Sequence, residues 1–166
     1  VIECSTFRAG QDNSVEEGDV EGMIRSDNTF GSIEEDVWRR DFTVNALYYN
    51  VKDYSIVDYT GGLIDLRNRV MRIIGDPRKR FEEDPVRLLR AVRLAAKLNF
   101  TLHPDTDAIV KTQQALLSQV PSSRLFHEWL KLFFHGHAVV TYHKMVEYDY
   151  MNTLFPAISQ ALMARG

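Results

Sequence analysis

The sequence predicts an α+β fold, in which a mixed α/β segment precedes an all-helical one. Before Gly75, short apolar runs alternate with polar residues at a period of two, as in strands. After Pro77, apolar residues recur every three or four positions, as in helices. Asp76 can cap a helix and Pro77 suits the first helical position. We therefore expect a first domain at residues 1–75 and a second at residues 76–166.

Composition narrows the class of protein. The chain has 166 residues, 45% of them hydrophobic, with a net charge of −3, which is enough apolar content for a core. Cys4 is the only cysteine, so no intrachain disulfide can form and a reducing cytoplasm is expected. Neither a membrane-spanning run nor a signal peptide pattern is present, and we expect no membrane partner. Because the chain opens at Val1 inside a strand pattern, we expect an N-terminally truncated fragment.

Local patterns predict the elements of the first segment in order. Strands are expected at residues 1–8, 54–59 and 70–74. Residues 9–31 are polar and rich in glycine and aspartate, which indicates a long loop. Thr60-Gly61-Gly62 predicts a turn, and residues 63–66 a further short turn.

The second segment reads as a series of helices. Asp84 can cap the first and Pro85 can start it, and the pattern continues to Leu98. Later helices are expected at residues 104–117, 124–134 and 138–148. In the helix expected from Pro85 to Leu98, one face carries a basic stripe at steps of three, three and four residues, namely Arg87, Arg90, Arg93 and Lys97. A slightly acidic total charge does not exclude a nucleic-acid partner when basic residues are concentrated in this way.

Residues 34–50 contain the first candidate site. Part of this sequence fits a strand, but it also fits a helix that starts near Asp41 and buries Phe42, Ala46 and Tyr49. We favour the helix because Asp41 can cap it. In either case Arg40, Asp41 and Asn45 lie close together. Arginine donates to phosphate and aspartate accepts from hydroxyls, which suits the triphosphate and ribose of a nucleotide. The alternative is a surface salt-bridge cluster.

Glu83, Asp84 and Arg87 form the second candidate site. Their spacing of three and four residues lets them project from one face at a helix start. A carboxylate can accept from the exocyclic amine of adenine or cytosine while arginine donates to a ring nitrogen, so the group could read a base edge. The alternative is a capping carboxylate with a helical salt bridge, which contributes only ~0.3–0.5 kcal/mol.

Three motifs in a fixed order carry a resemblance to a known family. They are Arg39-Arg40-Asp41-Phe42-Thr43-Val44-Asn45-Ala46, then Asp58-Tyr59-Thr60-Gly61-Gly62-Leu63-Ile64-Asp65-Leu66, then Glu83-Asp84-Pro85-Val86-Arg87-Leu88-Leu89-Arg90. The chain resembles the bacterial class II nucleotidyltransferases, which comprise poly(A) polymerases and tRNA CCA-adding enzymes. Arg124-Leu125-Phe126-His127-Glu128 and the residues between Ser26 and Asp36 are more similar to the poly(A) polymerase branch.

The resemblance implies a role for each matching residue. The segment up to residue 75 would be part of a nucleotidyltransferase head with a mixed sheet, and the helices after it the neck and the start of the body. The expected nucleotide-binding residues are Arg40, Asp41, Asn45, Glu83, Asp84, Arg87, Arg90 and Arg124. The expected hinge between head and neck is Asp58, Gly61, Gly62 and Asp65, and the expected RNA contacts are Arg93 and Lys97.

The implied reaction is attack by an RNA 3′ hydroxyl on the α-phosphorus of ATP, with release of pyrophosphate. Two Mg²⁺ ions would activate the hydroxyl and neutralise the leaving charge. The Asp-x-Asp pair that such metals need is missing from the expected place, since the only one is Asp105-Thr106-Asp107 at a helix start. Glu3 is the candidate for the third acidic position, both catalytic and metal-binding.

The expected partners follow from this reading, and two alternatives stay open. The expected partners are ATP, the 3′ end of RNA and the RNA-degradation machinery. The protein itself is expected to be a monomer. One alternative is CCA addition to tRNA. The other is a non-catalytic helical module that binds RNA through the basic stripe, with strong salt dependence and no response to ATP.

The missing Asp-x-Asp pair generates a first prediction. The isolated 166 residues should neither extend RNA nor bind ATP tightly, because the main metal ligands are not among them. Gel assays of RNA length with ATP, together with calorimetric titration of ATP, check this. Any ATP-dependent tailing by the isolated chain would contradict it.

Overall fold

The computed structural model describes residues 6–8, 30–134 and 136–164. It confirms the α+β class, since the described residues are mostly helical with two small sheets. Two compact units are present, Val1–Arg40 and Asp41–Gly166. The division at residue 75 stays a prediction. Glu3, most of the predicted strand at residues 1–8 and most of the predicted loop at residues 9–31 lie outside the described residues.

The first unit contains helix α1, Ile33–Arg39. A capping box starts it: Ser32 Oγ accepts from the Glu35 amide at 3.2 Å, and the Glu35 carboxylate accepts from the Ser32 amide at 2.6 Å. Ahead of the helix, Arg8 and Phe30 form an antiparallel bridge. These local contacts explain why the helix begins where it does.

The second unit opens without the helix that we favoured at Asp41, so that prediction was wrong. Thr43–Asn45 forms a 3₁₀ turn, and strand β1, Leu47–Asn50, follows it. The backbone here forms hydrogen bonds with a distant segment of the chain. The Thr43 amide donates to the Arg72 carbonyl at 3.0 Å, and Phe42 forms an antiparallel β-bridge with Ile73. A helix would break these distant bonds. Phe42 and Ala46 are buried as predicted, but Tyr49 is 60% exposed, because it lies in β1 and not on a buried helix face.

Two short sheets follow. Strand β2, Ser55–Asp58, pairs antiparallel with β1 and confirms the strand predicted at residues 54–59. Helix α2, Gly62–Asn68, is longer than the short turn that we predicted. Strand β3, Val70–Met71, is shorter than predicted and pairs in parallel with β4, Thr101–Leu102.

The rest of the unit is helical, as predicted. Asp76 accepts from the Lys79 amide at 2.9 Å and starts the first of these helices at Pro77, which confirms both residues as start signals. The predicted helix at residues 104–117 is divided into an α-helix and a 3₁₀ segment, Gln114–Gln119. The α-helices are α3, Pro77–Glu83; α4, Val86–Leu98; α5, Pro104–Thr112; α6, Ser122–Phe133; α7, Ala138–Glu147; α8, Tyr150–Leu154; and α9, Pro156–Met163.

Helix α4 lies at the centre of the core and packs against α6 and α7. Its apolar stripe is buried and includes Leu88, Leu89 and Val92. Burial of each such side chain contributes about 1.5–3 kcal/mol, so the position of this helix is strongly fixed. Within the described ranges, no helix is both long enough and apolar enough to cross a bilayer.

Gly62 generates a second prediction. A Cβ at this position would lie 2.3 Å from the Thr43 carbonyl oxygen, which belongs to the backbone and cannot swing aside. We expect Gly62→Ala to lower the free energy of unfolding by about 2–3 kcal/mol through overpacking. Urea denaturation of the full-length protein measures this.

Gly136→Ala is the control for Gly62→Ala. Gly136 has φ +81° and no atom within 4 Å of a built Cβ, so only backbone strain of about 1 kcal/mol is expected there. A Gly62 variant as stable as the wild type would show that the turn and α2 are not packed as described.

Candidate nucleotide-binding site

An ion pair joins Asp41 of the first candidate site to Arg90 on α4, 49 positions later in the sequence. Arg90 Nε donates to Asp41 Oδ2 at 2.7 Å, and Arg90 Nη2 lies 2.5 Å from the same oxygen. The other Asp41 oxygen accepts from the Phe42 amide at 2.8 Å and from Asn45 Nδ2 at 3.1 Å. Asp41 and Asn45, which we predicted to contact the sugar and phosphates, therefore lie beside α4, which carries Arg87; Glu83 ends α3, and Asp84 lies between the two helices.

Arg87 is held at the start of α4 by two hydrogen bonds. Its Nη1 donates to the Arg80 carbonyl at 2.7 Å and to Glu83 Oε2 at 3.2 Å. Glu83 Oε2 also accepts from Arg80 Nη1 at 2.8 Å. Burial, and then the nearby Arg80 charge, lower the pKa of Arg87, while Asp84 and Glu83 raise it. Arginine stays charged at neutral pH in any case, so Arg87 is an oriented cation.

Asp84 connects the start of α4 to α6. Its Oδ1 accepts from the Val86 amide at 3.3 Å, but the N-cap of α4 is Pro85 and has no side-chain cap hydrogen bond, so the predicted Asp84 cap was wrong. Arg124 Nη2 lies 3.1 Å from both carboxylate oxygens. Of the capping and salt-bridge alternative, the Glu83–Arg87 salt bridge is present, whereas the cap is not. Each carboxylate oxygen has two lone pairs, so the two acids keep capacity to accept from a base.

The basic stripe is not the open cationic face that its spacing suggests. Arg93 Nη2 lies 3.5 Å from Glu128 Oε2, and the Arg93 side chain is only 14% exposed. Burial first, and then the Arg90 charge, lower the pKa of Arg93, whereas Glu128 and Asp41 raise it. Lys97 is exposed in the last turn of α4. The RNA-binding role of Arg93 and Lys97 stays a prediction.

Arg40 belongs to the first unit, and its guanidinium pairs there. Nε and Nη2 donate to Asp36 Oδ2 at 3.0 and 2.8 Å. Asp36 is only 7% exposed, although our sequence analysis did not single it out. The four-residue spacing on α1 was the signal that could have revealed this partner.

The predicted hinge begins with an aspartate bound by backbone amides. Asp58 accepts from the amides of Thr60 at 3.1 Å, Gly62 at 3.0 Å and Leu63 at 2.9 Å. Burial by itself would raise the pKa of Asp58, but these amide bonds outweigh it and the pKa is lowered. Gly61 adopts φ 77° at the start of α2, a conformation that glycine tolerates.

Asp65, the last residue of the predicted hinge, is a buried acid. It accepts from Thr43 Oγ1 at 2.8 Å and from Arg72 Nε and Nη2 at 2.9 and 3.1 Å. Arg72 was not predicted as its partner, because it lies seven positions after Asp65, beyond the end of α2 and after β3. The turn is thus tied to the 3₁₀ segment that follows Asp41, so its geometry is set by charge-assisted hydrogen bonds.

The described residues contain no group of three or more His, Cys, Asp or Glu that could hold a metal ion. Asp107, from the only Asp-x-Asp in the sequence, is engaged with Lys111 Nζ at 2.6 Å and with the Tyr148 hydroxyl at 2.5 Å. We therefore assign no magnesium ligand to the described part of the chain, and Glu3 stays the candidate from the sequence.

Two family models match most of the sequence. "Poly A polymerase head domain" matches residues 1–72, and "Probable RNA and SrmB- binding site of polymerase A" matches residues 99–162. Poly(A) polymerase I of Salmonella typhi is 45% identical over 100% of this chain. The chain belongs to the family of poly(A) polymerases and CCA-adding enzymes. The resemblance inferred from the three motifs is confirmed.

Relatives within this family match to different extents. The CCA-adding enzyme of Levilactobacillus brevis is 46% identical, but over 61% of the chain and 25% of its own length. This chain spans 37% of the length of the Salmonella typhi polymerase.

Solved structures of the family also match. A tRNA-processing enzyme with CTP has a TM-score of 0.69 and 36% identity, covering 75% of this chain and 35% of that one. The Bacillus stearothermophilus CCA-adding enzyme in complex with CTP has a TM-score of 0.65 and 38% identity, covering 72% of this chain and 30% of that one.

Asp58 generates a third prediction, on pH. The pKa of Asp58 is lower in the folded protein than the value of 3.8 expected for the unfolded chain. The ionised Asp58 should therefore stabilise the fold at pH values above 3.8, and this contribution should be lost as the pH falls through the pKa of the folded state. Asp58→Asn should cost about 1–2 kcal/mol of unfolding free energy at pH 7, because bonds to a charged acceptor become bonds to a neutral one.

Urea denaturation of the full-length protein and the variant, from pH 7 down to pH values near 2, tests this sign. We expect the two curves to converge in acid. A difference that stays constant across the range would mean that the Asp58 charge contributes nothing.

Proposed function

We propose that the protein transfers AMP from ATP to RNA 3′ ends without a template. The observation that carries the proposal is the Asp41–Arg90 ion pair, which joins the predicted sugar- and phosphate-binding motif to α4, the helix that carries Arg87 of the predicted base-reading group. Relatives named Poly(A) polymerase I match the chain from end to end, which supports the same activity.

Each predicted nucleotide contact has a chemical role in this proposal. Asp41 and Asn45 hold the ribose and phosphates, and Arg90 lies near the phosphates. The nucleotide-binding role of Arg40 stays a prediction from the sequence. Arg87 donates to a ring nitrogen of the base while Glu83 and Asp84 accept from its exocyclic amine. Arg124, which contacts Asp84, supports this group from α6.

The acid–arginine group selects a hydrogen-bond pattern. Adenine offers an amino donor beside a ring acceptor, which matches a carboxylate beside a guanidinium. Guanine and uracil offer a carbonyl and a ring N–H at the equivalent positions, so both contacts would be repulsive. Cytosine offers the same pattern as adenine. The group therefore separates adenine and cytosine from guanine and uracil.

The proposed reaction proceeds by attack of the RNA 3′ hydroxyl oxygen on the α-phosphorus of ATP. A new P–O bond forms, the bond to the β-phosphate oxygen breaks, and pyrophosphate leaves. Mg²⁺, which the family resemblance implies, would activate the hydroxyl and stabilise the leaving charge. The residues of this chain bind and orient the nucleotide, which by itself can lower the barrier substantially.

CCA addition to tRNA is the second candidate. The matched solved structures include a tRNA-processing enzyme with CTP, and cytosine fits the same acid–arginine group. Poly(A) addition has the stronger support because the CCA-adding enzyme of Bacillus subtilis, for example, matches only 61% of the chain. The full-length protein decides between them: ATP alone on many RNAs supports the first, and CTP followed by ATP on tRNA supports the second.

The non-catalytic RNA-binding module has less support. Arg87, Arg90 and Arg93 each pair with a carboxylate of this chain, so they do not form an open basic face. ATP and RNA are the proposed partners. Cytoplasmic location, a monomeric state and contact with RNA-degradation machinery stay predictions from the sequence.

Asp84 generates a fourth prediction. Asp84→Ala in the full-length protein should lower kcat/KM for ATP about 10- to 100-fold, since a hydrogen bond to a charged group contributes about 1.5–3 kcal/mol. Use of GTP should fall much less, because guanine makes no favourable contact with Asp84. Steady-state tailing assays with each nucleotide measure both values.

Asp105→Ala is the matched control, because it removes an acid that is 76% exposed at the start of α5. It should leave tailing unchanged. If Asp84→Ala lowered the use of ATP and GTP by the same factor, Asp84 would be structural and the base-reading proposal would be wrong.

A further inference from the structure

Two ion pairs of opposite polarity join α6 to the α4 region. At one, the acid Asp84 precedes α4 and the base Arg124 is on α6, with 3.1 Å between Nη2 and each oxygen. At the other, the base Arg93 is on α4 and the acid Glu128 is on α6, with 3.5 Å between Nη2 and Oε2. We call these two contacts the crossed ion pairs.

The Arg93–Glu128 pair is the more deeply buried of the two. Glu128 is 5% exposed, and its Oε1 accepts from Lys131 Nζ at 2.8 Å. Among the described residues, Glu128 Oε2 and Arg93 Nε have no hydrogen-bond partner. A buried charge that loses its partner is strongly unfavourable, so each of the two charges requires the other in place.

The reversed polarity specifies a single register between α4 and α6. Arg124 and Glu128 are four residues apart on α6, so they project from the same face one turn apart. A shift of α6 by one turn would bring Arg124 toward Arg93, or Glu128 toward Asp84. Either shift would place like charges next to each other, so both shifted registers are disfavoured. Buried charged and polar groups are known to specify register in this way.

We propose that Glu128, acting through Arg93, is a positioning residue that keeps Arg124 on Asp84 and thereby sets the selectivity for the base. The inference rests on the proposed function, because it concerns the residues that we propose to read the base. It also gives Arg93 an internal role in place of the RNA contact predicted from the sequence.

Glu128→Gln in the full-length protein is the first test, because the substitution keeps the shape and removes the charge. We expect KM for ATP to rise about 5- to 10-fold with kcat within about 2-fold, the signature of lost uniform binding. The preference for ATP over GTP should fall by a similar factor. A merely structural defect would lower the use of all nucleotides alike.

Glu147→Gln is the matched control, since Glu147 is a 52% exposed acid on α7 whose partner is Lys144. It should leave KM and the ATP-to-GTP preference unchanged.

Arg93→Lys is a second test variant, for use if Glu128→Gln does not fold. Lysine keeps the positive charge but lacks the Nη2 group that contacts Glu128. It should reproduce the rise in KM.

The salt dependence of RNA binding separates the two roles of Arg93. An arginine that contacts an RNA phosphate contributes to the slope of log K against log salt, and its removal lowers that slope by about 1. For Arg93→Gln we expect a slope equal to that of the wild type. A slope lowered by about 1 would restore Arg93 as an RNA contact and overturn the inference.

The outcomes separate the failure of this inference from the failure of the proposed function. If the wild-type protein does not transfer AMP to RNA, the proposed function is wrong whatever Glu128 does. If the wild type is active but Glu128→Gln retains the KM and nucleotide preference of the wild type, only the positioning role is wrong. A Glu128→Gln variant with raised KM and reduced preference supports both.

Discussion

The ion pair between Asp41 and Arg90 is the interaction on which the candidate site depends. The Asp41 side chain is only 10% exposed and that of Arg90 32%, so each charge is largely removed from water. Removing either partner would leave the other charge poorly solvated, a larger penalty than the loss of an exposed surface pair. This constraint fixes the turn after Asp41 against α4 and brings together two motifs that are remote in sequence.

The other charges around α4 follow the same rule. Each of its first three arginines is matched by a carboxylate, and all three carboxylates lie outside α4: Glu83 ends α3, Asp41 precedes the 3₁₀ turn, and Glu128 is on α6. Groups held in this way do not need to reorganise when a ligand arrives, which is the condition for effective electrostatic stabilisation of a reaction. The arginines are thus part of the fold and of the proposed site at once.

The sequence predicted what short-range chemistry decides. Asp76 and Pro77 mark a helix start correctly because the contact that matters, to the Lys79 amide, lies three residues away. The favoured helix at Asp41 was wrong because the Thr43 amide is bonded to the Arg72 carbonyl, 29 positions later in the chain. Likewise, the spacing of Arg93 predicts a surface stripe, but its partner Glu128 lies 35 positions further on. Local propensity does not contain such pairings.

The selectivity of the proposed site needs more than the identity of its base-reading residues. An acid beside an arginine accepts adenine and cytosine equally well, because both bases present an amino donor next to a ring acceptor. What differs between the two bases is size, a two-ring against a one-ring system. Discrimination must therefore come from the space left beside Asp84 and Arg87, and that space depends on the distance between α4 and α6. The crossed ion pairs fix that distance, so residues that do not touch the base can determine which base is used.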